Sequence, residues 1–379
     1  MKRDGNHPST AHPPALVLSG GGITGFLYEI GALSALEEIL APLPLHVAFS
    51  PLVGTSAGAV VAALLANGAS PAAIYRDLFD DRDSPFNFRP DQVYGAAAAN
   101  LAQLVAQFAR PLIGACMRPF RQRTWPTLTG LVADFQAHHP PGFYSTEPLE
   151  RTLCERFSAL GYAHHFDELP GRLYVTGSDI DTGERLVFGA GTFRSLHICR
   201  AVAASCAIPI FFQPIRIGER DVVDGAVAEA TPLDVAVDGG TRTIVHLNPL
   251  VPIRNDRLGL CLPVEDGHCA RLAEKGVGWI GEQTFRMLLA ARMDDSIAAL
   301  RSRAPGLTVH VIQPGRDELP MFIHSVMSFA ARRELLEYGH QCGLRAMRTD
   351  LGHALLAVRE AAPAAGERRA TDQVPSRPT

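Results

Sequence analysis

The first dense apolar run, Leu16-Val17-Leu18, is too short for a helix and shows no polar alternation, which predicts a strand buried on both faces. After the glycine turn Gly20–Gly25, Phe26, Ile30, Leu33, Leu36 and Leu40 recur at helical spacing with Glu37 and Glu38 turned away, predicting a helix over 26–40. A second strand is expected around 47–53. It passes through another tight glycine turn into Ala57–Ala66, almost wholly Ala, Val and Leu, which predicts a buried helix stopped at Asn67-Gly68. Two strand–turn–helix units in series place the chain in the α/β class, with a mostly parallel sheet covered on both faces.

Residues 70–145 break this rhythm. Pro71, Pro85, Pro90, Pro111, Pro119, Pro126 and Pro140 surround an Ala-rich stretch, which predicts a helical insertion above the sheet, a lid. Strand signals return at 173–176 and 186–188, joined through the turn Asp181-Thr182-Gly183-Glu184. A small-residue helix is expected over 198–207, with further strands at 208–212, 222–223, 243–247 and 308–312. The expected organisation is one domain over 15–250 with a helical and strand-bearing extension over 251–360 packed on it. Residues 1–14 and 361–379, rich in Pro, Ala and charge, are expected to be disordered tails.

The chain has 379 residues, enough for a full core. Its 35 Lys+Arg against 39 Asp+Glu provide no basic field for nucleic acid. Mean hydropathy of +0.07 raises the question of a membrane span. The window 53–66 falls short of the about 20 residues a crossing needs, and 96–117 is broken by Asn100, Gln103, Gln107, Arg110 and Pro111. Met1–Pro14 carries no secretory core. The seven scattered cysteines then predict free thiols, a reducing compartment and a cytoplasmic protein with at most peripheral membrane contact. Cys261 and Cys269, with His268 and His246, lack the paired spacing of a tetrahedral zinc site. Asp179–Gly183 imitates a calcium loop, but its twelfth position is Ala190 instead of Glu. Neither metal nor cofactor is expected.

Three local features carry chemistry. Gly20-Gly21-Gly22-Ile23-Thr24-Gly25 sits between a strand and a helix, where glycines admit a ligand close to the backbone and the helix start offers free N–H groups to negative charge. A dinucleotide-binding oxidoreductase would use the same turn, but it wants an acid at the end of the next strand. That strand ends instead in Gly54-Thr55-Ser56-Ala57-Gly58, a G-x-S-x-G whose small residues allow a strained turn projecting the Ser56 hydroxyl. The third feature is Val222-Val223-Asp224-Gly225-Ala226. Read blandly, it is an Asp-Gly turn. Beside Ser56, its buried carboxylate would accept the hydroxyl proton.

With Ala203-Ala204-Ser205-Cys206-Ala207-Ile208-Pro209 and Pro232, these segments stand in the order found in the patatin-like phospholipases, which the chain resembles over about 15–250. The resemblance implies a three-layer α/β/α fold and a serine lipid acyl hydrolase with a Ser–Asp dyad and no essential histidine. Ser56 would be the nucleophile, Asp224 the general base, and the amides of Gly20, Gly21 and Gly22 the oxyanion hole, with Gly25, Gly54, Gly58, Gly225 and Ala226 as motif positions. The implied partner is a phospholipid, lysophospholipid or acylglycerol, with no nucleic acid. Thr24 departs from the family, which often has Arg or Lys there. A non-catalytic lipid-binding or scaffolding member is the alternative from another class.

Bland readings apply elsewhere. His197, His246 and His310 sit at element ends or edges and are expected to be structural, which disfavours a Ser-His-Asp triad. Arg110, Arg118, Arg121 and Arg123 beside Phe120 and Trp125 form either a patch for anionic headgroups or a solvated insertion edge. Cys206, next to the proposed site, is expected to be a buried thiol without reactivity.

Overall fold

The apolar run at the start of the domain forms β1 (Ala15–Leu18), and all four of its side chains are buried. The computed structural model describes residues 13–96, 141–228, 231–256, 260–262 and 267–362. Arg110, Arg118, Phe120, Arg121, Arg123 and Trp125 lie outside them, as do residues 1–12 and 363–379 of the expected tails.

In chain order, β1 is followed by α1 (Gly22–Leu40), the single turn α2 (Leu45–Ala48), β2 (Leu52–Gly54), α3 (Ala57–Ala66), α4 (Pro71–Phe79), α5 (Pro90–Val93) and β3 (Gly95–Ala96). Next come β4 (Gly142–Ser145), α6 (Glu147–Leu160), β5 (Leu173–Asp179), β6 (Arg185–Phe188), α7 (Ile198–Ser205) and β7 (Ile210–Phe212). The rest comprises β8 (Ile215–Ile217), β9 (Arg220–Asp224), α8 (Leu233–Asp238), β10 (Thr243–Leu247), α9 (Val277–Arg303), β11 (Thr308–Ile312), α10 (Arg332–Ala346) and α11 (Asp350–Ala361).

The main sheet is 8-stranded in the order β11-β10-β1-β2-β5-β9-β8, with β6 also paired to β5. From β11 to β5 the neighbours run parallel, whereas β6, β9 and β8 pair antiparallel. Side-chain alternation along the central strands makes the three layers. Leu16, Leu18 and Leu52 point into one core with α1, α3, α7 and α10. Ala15, Val17 and Val53 point into the other, formed with α8 and the end of α9. Burial on both sides explains why these strands read as unbroken apolar runs. A 3-stranded sheet, β3-β4-β7, stands apart from the main one.

Three expectations change. Residues 47–51 are not strand: Pro44 caps the single turn α2, and the chain bends at Ser50-Pro51 before β2 begins. Pro51 has no N–H for a ladder, and the Ser50 N–H donates to Pro14 O. Pro14 is thereby tied to the domain, as is Pro13, whose carbonyl accepts from Thr241. Third, Cys261 and Cys269 are disulfide-bonded, not free. Asn255 brings their loop together by donating to Ala270 O and accepting from Leu262 N, while Ala270 N donates to Leu262 O. The argument from free thiols to a reducing compartment loses that support. No described helix is long and apolar enough to cross a membrane.

The segment beyond residue 250 is integral to the fold. Helix α10 crosses α1 so closely that a Cβ at Gly339 would meet the Tyr28 carbonyl oxygen at 2.2 Å. Likewise α4, within the expected insertion, buries Ile74 and Leu78 in the main core.

Candidate active site

Parallel pairing of β1 and β2 sets Leu18 opposite Gly54, so the turns after both strands emerge side by side at the carboxyl edge of the sheet. That edge is where open α/β sheets place ligands. Ser56 occupies the β2–α3 turn at φ 55°, ψ −125°, a conformation costing a non-glycine residue about 1–3 kcal/mol. Local bonds hold it there. Its N–H donates to Ser205 Oγ at 2.8 Å, Thr55 N–H to Leu18 O at 3.0 Å, and Thr55 Oγ1 lies 2.7 Å from Thr176 Oγ1. Gly54 and Gly58 are needed for the same turn: a Cβ would meet Ala59 Cα at 2.6 Å and Leu18 O at 2.4 Å respectively.

Asp224 reaches this turn from the antiparallel side of the sheet. Gly54 pairs with Val175 and Asp224 with Gly177, two positions further along β5, which lifts the carboxylate to the level of Ser56. The Ser56 hydroxyl lies close enough to the Asp224 carboxylate to favour its ionised form. Both residues are buried. The Ala226 N–H donates to Asp224 Oδ1 at 2.9 Å, and the Asp224 N–H to Ala207 O at 2.9 Å. Gly225 closes against Thr176, whose Oγ1 would stand 2.4 Å from a Cβ there. Burial pushes the Asp224 carboxyl up to about 6, against the opposing pull of the nearby Ser56 hydroxyl and the Ala226 N–H. The chain thus brings together two groups far apart in sequence, one a hydroxyl and the other a carboxylate that ionises near neutrality.

Gly20 sits directly against Ser56; a Cβ on it would come within 2.9 Å of Ser56 Cβ. Among the described residues, the amides of Gly20, Gly21 and Gly22 donate to no protein acceptor. Helices α1 and α3 both start here, and Gly22, Ile23, Ser56 and Ala57 line one cleft, so two helix N-termini converge beside the hydroxyl. Gly25 N–H donates back to Gly21 O at 2.9 Å. Thr24 is buried and its hydroxyl bonds Gly21 O at 3.2 Å, so this residue holds the turn without supplying charge. At Gly22, φ is +60° and a Cβ would lie 2.5 Å from Val326 O. Gly22→Ala is therefore expected to destabilise the fold by about 1–3 kcal/mol, read as a lowered midpoint in urea unfolding.

The histidines stand elsewhere. His246 is fully buried on β10, bonded to Ser19 Oγ at 2.8 Å, and burial pushes it down to about 3, so it is neutral. His197 precedes α7 and bridges to His165, and His310 lies on β11. None bonds to Ser56 or Asp224 among the described residues. Cys206 lines the cleft, and burial, with the Asp224 charge second, pushes its thiol well up, as expected of an inert thiol.

From Ser56 the cleft extends between the helices and opens partly to solvent. Its lining is apolar: Phe26, Leu27, Val60, Leu78, Phe88, Leu149 and Phe212, with Arg332 paired to Asp81 as its charged member. Sequence reasoning missed several parts. Met327 and Phe329 close the cleft from a segment with no periodicity to mark it. Arg292 on α9 donates to Val227 O and Ala228 O, and Ser178 Oγ to Asp224 O, pinning the loop after Asp224. Ser205 lay within a recognised motif, but only the fold reveals its bond to Ser56.

A family model described as patatin-like phospholipase matches residues 16–237, more than half of the chain. The uncharacterized protein YqhO of Bacillus subtilis (strain 168) is 27% identical over 227 residues, 57% of this chain and 64% of that protein. The match thus spans less than two thirds of YqhO. Probable lipid hydrolase 463L of Invertebrate iridescent virus 6 is 23% identical over 241 residues, 62% of this chain and 69% of that protein. Among solved structures, VipD from Legionella pneumophila aligns with a TM-score of 0.37 at 16% identity, over 89% of this chain and 67% of its own.

Proposed function

We propose, because the chain belongs to the patatin-like phospholipase family, that it is a lipid acyl hydrolase of the phospholipase A or lysophospholipase type. The observation that carries the reading is that Ser56, lining an apolar cleft, and the buried carboxylate of Asp224 are brought to the same level of the sheet. The apolar lining of the cleft suits an acyl chain. The ester carbonyl then rests against Ser56.

Ser56 Oγ attacks the carbonyl carbon while Asp224 takes the hydroxyl proton. The amides of Gly20–Gly22, aided by two helix N-termini, hold the tetrahedral oxyanion. Collapse expels the alcohol or lysolipid, which takes the proton from Asp224, and leaves Ser56 acylated. Water repeats the attack with the same base and releases the fatty acid. Peripheral contact with a lipid surface belongs to the same proposal.

The base works only when ionised. Its carboxyl is raised to about 6, so kcat/KM is expected to fall tenfold per pH unit well below pH 6 and level off above it. A pH profile on a soluble acyl ester checks this, and a plateau reaching down to pH 4 contradicts it. Incubating the protein with phospholipid, lysophospholipid and acylglycerol, then analysing released fatty acid by mass spectrometry, tests the substrate class. Release from none of the three contradicts it.

A further inference from the structure

Outside the cleft, soft ligand atoms meet at one place among the described residues. Cys154 lies on α6, Cys199 in the first turn of α7, and His164 in the segment that follows α6. Their two Sγ atoms and one imidazole nitrogen all lie within 4.8 Å of one another. Cys199 is fully buried, and the other two are half-buried. Ser158 Oγ, 3.1 Å from His164 Nε2, helps to hold that ring. His197 adds another imidazole, its ring centred 6.3 Å from that of His164.

We propose that Cys154, Cys199 and His164 bind a thiophilic d10 cation, Zn²⁺ by class, with water in the fourth position. Bond lengths of about 2.3 Å to sulfur and 2.0 Å to nitrogen put tetrahedral ligand atoms roughly 3.5–4 Å apart. The three atoms need to close by about an ångström, which side-chain rotation supplies. Binding replaces both thiol protons, so two protons leave per cation taken up. Spacing along the chain gives no hint of the site because its ligands come from three separate segments that only packing joins.

The consequence is mechanical. Helix α7 begins beside Cys199 and ends at Ser205, whose hydroxyl accepts the Ser56 N–H; shortly after, Ala207 O accepts the Asp224 N–H. A cation clamping α6 to α7 therefore stiffens the element against which both groups are seated. None of this depends on the proposed hydrolysis.

Cobalt titration of the chelator-stripped full chain tests the site, done anaerobically without reductant so that Cys261–Cys269 stays bridged. One equivalent of Co²⁺ is expected to produce a thiolate-to-cobalt charge-transfer band and the intense visible bands of tetrahedral cobalt, both displaced by Zn²⁺. Cys154→Ser should lower the intensity of the charge-transfer band, which Cys199 alone still gives, or weaken binding by more than the ~10–100-fold that loss of a merely supporting partner costs. His164→Asn should weaken it likewise. Both positions are half-buried, and far-ultraviolet circular dichroism verifies that each variant folds. Absence of the band in the wild type overturns the proposal. So does an unchanged titration in Cys154→Ser, or a mass four units below the fully reduced chain, two beyond the Cys261–Cys269 bridge, with peptide mapping that places the second disulfide at Cys154–Cys199.

Discussion

Ser56→Ala is expected to lower turnover of p-nitrophenyl acyl esters by at least about 10⁴-fold while leaving a folded protein. The loss is large because no other described group in the cleft offers an oxygen nucleophile seated on a carboxylate base. Folding should survive because what holds the turn is backbone: the position-56 N–H still donates to Ser205 Oγ, and Thr55 N–H to Leu18 O. Initial rates beside a thermal melt check both halves. Turnover within tenfold of the wild type in a variant that melts normally contradicts the role.

The second large effect divides between activity and stability. Asp224→Asn keeps an acceptor for the Ala226 N–H but removes the proposed base, and turnover should fall by about 10²–10⁴-fold. Stability should move the other way. The folded carboxyl is raised from an ordinary 3.8 to about 6 by burial, so the native state holds its proton more tightly than the unfolded chain. Its stabilising contribution is complete below about pH 4 and is lost as pH climbs through 6. Above that the buried charge costs up to about 3 kcal/mol, which Asn avoids. Melting temperature should therefore favour Asp224→Asn at pH 8 and converge with the wild type near pH 4. A variant less stable at pH 8 contradicts the assignment.

Much of this was legible in the sequence because local chemistry and topology agree there. The strand 243–247, the strand 308–312 and the helix 57–66 have the expected limits, since apolar runs bounded by turn residues leave little freedom. The Ser56 elbow was readable for the same reason: Gly54 and Gly58 are demanded by contacts within a few residues or on the adjacent strand. Other features were not legible from the hydrophobic pattern. The prolines at 44 and 51 turned an apolar stretch into a helical turn and a bend. The Cys261–Cys269 disulfide lies in a loop that Asn255 ties together, and its spacing gave no sign of it. Met327, Phe329 and Arg292 carry no local signature, yet they close the cleft and pin the Asp224 loop.

Covalent trapping tests the pairing of position 56 with position 224 most directly. Full-length protein treated with an alkyl fluorophosphonate and mapped by peptide mass spectrometry should carry one adduct, on Ser56, absent from Ser56→Ala and formed far more slowly in Asp224→Asn. An adduct on a different serine, or labelling of Ser56 at an undiminished rate once the carboxylate is gone, would contradict it.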